Sequence, residues 1–434
     1  MRSAHPRERA VGINWYASQT DGIGGRIREH PADFVVEELD ELALEPIDAD
    51  PGDYPHLIVR VRLTGWDTFD FVRRLAKQTG VHSEAIGWAG TKDKRAITTQ
   101  SISVQGITPD DLPAIERASI EPIGRFGRQL WFGDLVGNAF EIRVRDAQAA
   151  ERRESITEEL EAVGGGQLAV PNFFGQQRFG SIRPITHRVG EAIVRGDWEA
   201  ATSAYLADGA PEEPAETSAF REAAAESDDW ATLLEHVPGH LQHERTILGG
   251  LAEGASHQAA LDRLPRRLRQ LFVHAFQSYL FNRIVSIRLE RDIPLAEPVE
   301  GDVVCFARET DALGLVPDPD RIQRVDDRRM RPVSRHVASG RAFVTGPLLG
   351  HEVTPGAGIP GEIAREVLGE YDLTAADFEL PDPYDAGGTR RAVLIHPSVR
   401  WEPDPLTVAF GLPSGSYATV VLREYLKVDP IHLG

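Results

Sequence analysis

The chain has 434 residues, with 47 Lys+Arg against 67 Asp+Glu for a formal charge of −20, and 41% of its residues are hydrophobic. That length suggests two or three domains, and that apolar share excludes a disordered acidic protein. A single cysteine, Cys305, excludes a disulfide framework and a multi-thiolate zinc site. No apolar run reaches the roughly 18 residues of a membrane span, and Met1 to Gly12 has no apolar signal-peptide core, so a cytoplasmic protein is expected. Only four lysines occur, Lys77, Lys92, Lys94 and Lys427, so nearly all positive charge is arginine. An acidic, lysine-poor surface suits very high salt, where carboxylates retain hydration water. The acidity is therefore read as a habitat signature, and a low pI does not by itself exclude nucleic acid.

Leu57, Val59, Val61 and Leu63 alternate along 57–63 and predict a half-buried strand. Thr68 is placed as the cap of a helix carrying Phe71, Val72, Leu75 and Ala76, with Gly80 ending it. A short apolar segment, Ala85 to Ala89, leads into the polar loop Gly90 to Arg95 and an alternating run through Ile102 and Val104. A helix is predicted from about Glu151 to Val163, stopped by Gly164-Gly165-Gly166. Residues 206–230, rich in Ala, Pro and acid, read as a surface excursion of a helical region. Residues 264–291 carry the longest helical periodicity, and strands return after Asp382 at Ala392 to Ile395 and Leu406 to Phe410. Pro413-Ser414-Gly415-Ser416 then opens a last helix with Val420, Val421 and Tyr425. An α+β molecule follows, with a helical module set inside or beside a sheet.

Two segments carry candidate chemistry. In Gly90-Thr91-Lys92-Asp93-Lys94-Arg95 one carboxylate lies between two of the four lysines. Cations at that distance favour an ionised Asp93, ready as nucleophile or base; a plain β-turn explains the same residues through backbone preference alone. In Pro171-Asn172-Phe173-Phe174-Gly175-Gln176-Gln177-Arg178-Phe179-Gly180, aromatic, amide and guanidinium groups can stack on and hydrogen-bond a planar base. The plainer reading makes at least one of those phenylalanines a core residue. Asp21-Gly22-Ile23-Gly24-Gly25 has neither a dinucleotide fingerprint nor a Walker lysine and reads as a turn. His236, His240 and His243 form no metal-binding spacing, so no metal is expected. The Arg-rich stretches 263–269 and 321–335 either face RNA or balance an acidic surface.

These two motifs, with His30-Pro31-Ala32-Asp33-Phe34-Val35-Val36-Glu37-Glu38, Leu135 to Phe140, Gln277 to Asn282 and Phe410 to Thr419, closely resemble the TruD family of tRNA pseudouridine synthases. The motifs occur in order along most of the chain; the regions near 185–265 and 300–385 match nothing. The resemblance implies Asp93 as catalytic nucleophile, with Arg28, at a position where bacterial relatives carry lysine, as its ion-pair partner. It implies Phe34, Asn172 and Phe410 as nucleotide contacts and Phe174 as a nearby aromatic; Lys92 joins them as a substrate-binding candidate. The implied fold is a pseudouridine synthase core with a mixed sheet flanked by helices, carrying an inserted α+β TRUD domain. We expect residues 1–180 and 389–434 to form the core and 181–388 the insertion, with Phe34 and Phe410 completing one pocket. The implied reaction isomerises a uridine, uridine 13 of tRNA by default, and needs no cofactor. The carboxylate could add to sugar or base, or remove a C2′ proton. The expected partner is tRNA and the expected form a monomer. The main rival is an RNA-binding or chaperone protein on the same scaffold without catalysis; a glycosidase would need a second, paired carboxylate.

Overall fold

The computed structural model describes residues 1–433. Its main sheet has eight strands, seven of them in the order Arg400–Pro403, Leu406–Pro413, Gly137–Arg143, Phe34–Leu39, Ile97–Gln105, His56–Thr64, Ala118–Phe126. The eighth, Ile86–Trp88, pairs with residues 102–104 of Ile97–Gln105, whose first residues pair with Phe34–Leu39. That last pairing is parallel and all others are antiparallel, so the sheet is mixed, as expected. Leu57, Val59, Val61 and Leu63 are all buried, and Phe71, Val72 and Leu75 of the helix Thr68–Thr79 pack on them. That helix ends at Gly80 in a left-handed conformation, but its cap is Asp67, which accepts from the amides of Phe69 and Asp70. Thr68 is instead the first helical residue, and its buried hydroxyl turns toward the Gly90–Arg95 loop.

A second, antiparallel sheet orders Gly314–Arg324, Val303–Thr310, Ala342–Leu348 and Thr389–Ala392. This sheet runs past residue 388, and the predicted strand at 392–395 is two pieces. Thr389–Ala392 pairs with Ala342–Leu348, whereas Leu394–Ile395 pairs with Val170–Pro171 beside the main sheet. The segment Pro171–Gly180 therefore lies in the seam between the sheets. A helical body, from Thr186–Val194 to the 25-residue helix Arg266–Glu290, packs against the seam. The helices Thr186–Val194 and Arg266–Glu290 cross at Gly190, where a Cβ would sit 2.0 Å from the Phe272 carbonyl oxygen. The last helix, Ala418–Leu426, brings the chain ends together: buried Arg423 is ion-paired with Glu8 and Glu424. Among the described residues no helix is long and apolar enough to cross a membrane.

His187 ties the second motif to the helical body. Its ring stacks on Tyr279 at 5.0 Å between centroids and meets the edge of Phe179 at 5.2 Å. Burial pulls its pKa from the ordinary 6.5 down to about 3. Between those values the unfolded chain takes up a proton that the folded chain refuses, so this group's contribution to stability falls as pH drops from 6.5 toward 3. His187→Phe should therefore flatten the fall in unfolding free energy across that window, by up to about 1.4 kcal/mol per pH unit. Urea unfolding at a series of pH values checks this; parallel profiles for the two proteins would refute it.

Candidate active site

The parallel register aligns Val35 with Ile97, so the segments preceding those two strands emerge side by side. One carries Arg28 and the other Asp93. Arg28 Nη1 lies 2.9 Å from Asp93 Oδ2; the arginine side chain is 10% exposed and the carboxylate 55%. The guanidinium also lies over the Phe34 ring, 3.8 Å from its centroid. Burial pulls the Arg28 pKa below its ordinary value while the Asp93 charge opposes that shift; arginine remains a cation in either case. Arg28 has φ +61°, a left-handed conformation that costs a non-glycine residue of order 1–3 kcal/mol and persists only where the surroundings hold it.

The loop itself is tied from below. Lys92 Nζ reaches Glu38 at 2.6 Å, with the two side chains 7% and 0% exposed. Burial raises the Glu38 pKa, and Lys92 and the Ser101 amide work against that. The Lys92 amide donates to Thr68 Oγ1 at 2.9 Å, and the Gly133 amide to the Ala89 carbonyl at 2.8 Å. Lys92 is thus turned down into the protein and Asp93 outward, while Lys94 and Arg95 are exposed. The cation facing Asp93 is the distant Arg28 rather than its lysine neighbours.

Arg28, Phe34, Lys92 and Asp93 line one cavity of about 360 Å³, closed by Phe140, Phe132 and the segment Ser414–Thr419. Asn172, Phe174 and Phe410 do not line it. Asn172 Nδ2 donates to the Ala392 carbonyl at 3.0 Å, and its Oδ1 accepts from Arg391 at 2.6 Å and from Ser416 Oγ at 3.3 Å. Phe174 is buried beneath the Arg391 guanidinium, 4.2 Å from the ring centroid. Phe410 is buried beside Phe140 on the same face of the sheet, with centroids 5.5 Å apart, and Phe140 in turn meets Phe34 at 6.1 Å. The structure brings four of the seven candidates around one cavity and leaves three outside its lining.

Sequence reasoning missed Arg391. It donates to the carbonyls of Asn172 and Gly415, both at 2.9 Å, and so joins the second motif to the cavity wall. It has no carboxylate partner among the described residues, and burial pulls its pKa down to about 10. Nothing in its local sequence marks it; the signal is a contact between segments far apart in the chain.

A carboxylate facing solvent, braced by a buried cation and walled by aromatic rings, can attack or deprotonate a substrate drawn into the cavity. The family described as tRNA pseudouridine synthase D (TruD) matches residues 10–425. The chain belongs to this family of isomerases. It is 53% identical over 434 residues, all of both chains, to a protein of Halobacterium salinarum named "Probable tRNA pseudouridine synthase D". A protein of the same name from Natronomonas pharaonis is 51% identical, with 99% of each chain covered. A crystal structure of a Methanosarcina mazei protein, named "Putative tRNA pseudouridine synthase D (TruD)", superposes with a TM-score of 0.82 at 37% identity, covering 99% of each chain. The two former organisms are halophilic archaea, in keeping with the acidic, lysine-poor composition.

Thr68→Val keeps the side-chain shape but leaves the half-buried amide of Lys92 without its acceptor. An unmet buried donor costs about 1–3 kcal/mol. The variant should melt at lower temperature, and the Lys92 amide should exchange with deuterium faster; unchanged exchange at Lys92 would show that the hydroxyl does not hold the loop.

Proposed function

We propose that this protein converts a uridine of tRNA, uridine 13 by its family resemblance, to pseudouridine, with Asp93 as the reacting carboxylate. The observation that carries this reading is the outward-facing Asp93 held 2.9 Å from a buried arginine at the edge of an aromatic-walled cavity. The reaction breaks N1–C1′ and joins C5 to C1′; C5 loses a proton and N1 gains one, so the product is an isomer. No electron acceptor or phosphoryl donor enters the balance. The base must first leave the RNA stack, and Phe34 and Phe140 offer it an apolar wall. On this reading Arg28 keeps Asp93 ionised and aimed, Lys92 anchors the loop through Glu38, and Phe410 supports Phe140. Asn172 and Phe174 brace the Ser414–Ser416 wall through Arg391. The same reading treats 1–180 with 389–434 as the catalytic core and 181–388 as an insertion that grips the tRNA body. The working compartment is the cytoplasm and the working form a monomer.

Asp93→Asn is nearly isosteric but neither basic nor nucleophilic. It should lower turnover by about three orders of magnitude or more while tRNA affinity stays near the wild-type value. Tritium release from 5-tritiated uridine in tRNA measures this, and comparable turnover would end the assignment.

Arg28→Ala should slow the single-turnover step by about 10²–10³-fold, the loss typical of one electrostatic group at a reacting centre, and more than it weakens binding. Arg28→Lys should restore part of the rate, because the charge returns without the planar stack on Phe34. If Arg28→Ala instead loses affinity at an unchanged single-turnover rate, Arg28 is a phosphate contact.

A further inference from the structure

Beside the cavity just described lies a larger cleft of about 1050 Å³, and Phe132 lines both. Trp131 and Phe132 project into solvent, 63% and 68% exposed, with Phe69 at 43% on the facing helix. Three large exposed aromatics at one place on a surface that is otherwise strongly acidic form an apolar patch that needs an occupant. The far wall of the cleft comes from the helical body through Arg267 and His243.

The loop bearing these rings is already rigid. The Arg128 guanidinium lies over Trp131 at 4.6 Å and grips Asp134 with two hydrogen bonds of 2.5 and 3.0 Å. Asp134 in turn accepts from the Trp131 amide at 2.8 Å. Gly133 has φ +103°, which L side chains rarely adopt, and its amide bond to Ala89 fixes the loop to the base of the Asp93 loop. The Leu130 amide is held by Ser103 Oγ at 2.9 Å. Ordering these rings on binding therefore costs little conformational entropy.

We propose that Trp131 and Phe132 form a stacking platform for the nucleotides that flank the target uridine in tRNA. The proposal rests on the pseudouridine synthase reading above and extends it to the bases next to the reacting one. Continuity through Phe132 supplies the geometry: a uridine beside Asp93 leaves its chain neighbours at the mouth of the cleft. Charge agrees with a nucleic acid strand. Arg267 on the cleft wall has no partner among the described residues and is free to meet a phosphate, while Arg73 is held by Asp70 and Glu84 is the one carboxylate in the lining. Stacking also fits concentrated salt, because it releases few counterions, whereas phosphate contacts weaken steeply as salt rises.

The test uses the full chain, a tRNA transcript, and a single-stranded RNA carrying the target uridine with 2-aminopurine on one side or the other. Trp131→Ala and Phe132→Ala should each weaken tRNA binding by about fivefold to 100-fold, the range for loss of one stacked base. The factor for Trp131→Ala should be the same in molar KCl as in dilute salt, while that for Arg267→Ala shrinks as salt rises. The 2-aminopurine fluorescence should be quenched on the wild type and recover in the double variant, and Trp131→Tyr should restore quenching and affinity. Affinities within twofold of wild type, or fluorescence indifferent to both rings, would overturn the proposal. So would a changed oligomeric state at unchanged tRNA affinity, which would make the patch a contact between copies. Binding and quenching do not require turnover. A wild type that quenches through Trp131 yet makes no pseudouridine would leave the platform standing and remove the catalytic reading instead.

Discussion

Arg28 is a permanent cation whose side chain is 10% exposed, and Asp93 is its one carboxylate partner among the described residues. A buried charge left alone is among the costliest features a fold can contain, and the half-exposed Asp93 carboxylate meets this one from the solvent side. The loop that bears Asp93 is therefore held to Arg28 by more than its own backbone. The parallel register of Phe34–Leu39 with Ile97–Gln105 is what makes the pair possible, since it starts both strands at the same edge. A one-residue slip would turn Phe34 to the other face and take the cation's aromatic seat with it. The strained φ of Arg28 is tolerated because ion pair, ring and strand all demand the same position.

The overall charge of −20 and the local chemistry of the site point in opposite directions. Many surface carboxylates are paired with arginines or exposed to solvent, where concentrated salt reduces the Debye length to about 3 Å at 1 M. Behind the cavity the balance reverses. Arg178 and Arg391 are half-buried, their pKa values are drawn down by desolvation, and neither has a carboxylate partner among the described residues. Charges in that setting are screened far less than those outside. An acidic protein can thus present a positive interior to an anionic substrate once the two are in contact, with the repulsive surface muted by salt.

Much of this was legible in the chain. Period-two burial marked His56–Thr64, the apolar stripe marked the helix after Asp67, and the helical spacing of 264–291 marked the long helix now seen at Arg266–Glu290. Each of these signals is local. Asp67 and Thr68 are both good capping residues, and what separates them is that the Thr68 hydroxyl is needed by the Lys92 amide, which local sequence does not show. Composition likewise read Asn172 and Phe174 as a base-binding surface. Their buried positions follow from the seam, where Val393 and Arg391 take up their polar and aromatic groups. Lys92 and Lys94 look like the cations that serve Asp93, yet neighbours in an extended loop point to opposite sides. The first goes to Glu38, and the service falls to an arginine from another segment.

The seam also explains why the second motif tolerates so little freedom despite lying outside the cavity. The Phe174 amide donates to Asn282 Oδ1 at 2.8 Å, and Asn282 Nδ2 donates back to the Phe174 carbonyl at 3.0 Å and to Val11 at 2.9 Å. Arg178 donates to Ser278 Oγ one turn earlier on the same helix, at 3.1 Å. The motif is thus fastened to the long helix on one side and, through Arg391, to Gly415 on the other. The three bonds to Asn282 are buried, and any of them that breaks leaves a polar group without water to replace its partner. The wall of the cavity opposite Asp93 therefore takes its position from the helical body rather than from the main sheet alone. Residues outside the lining of the cavity set its width.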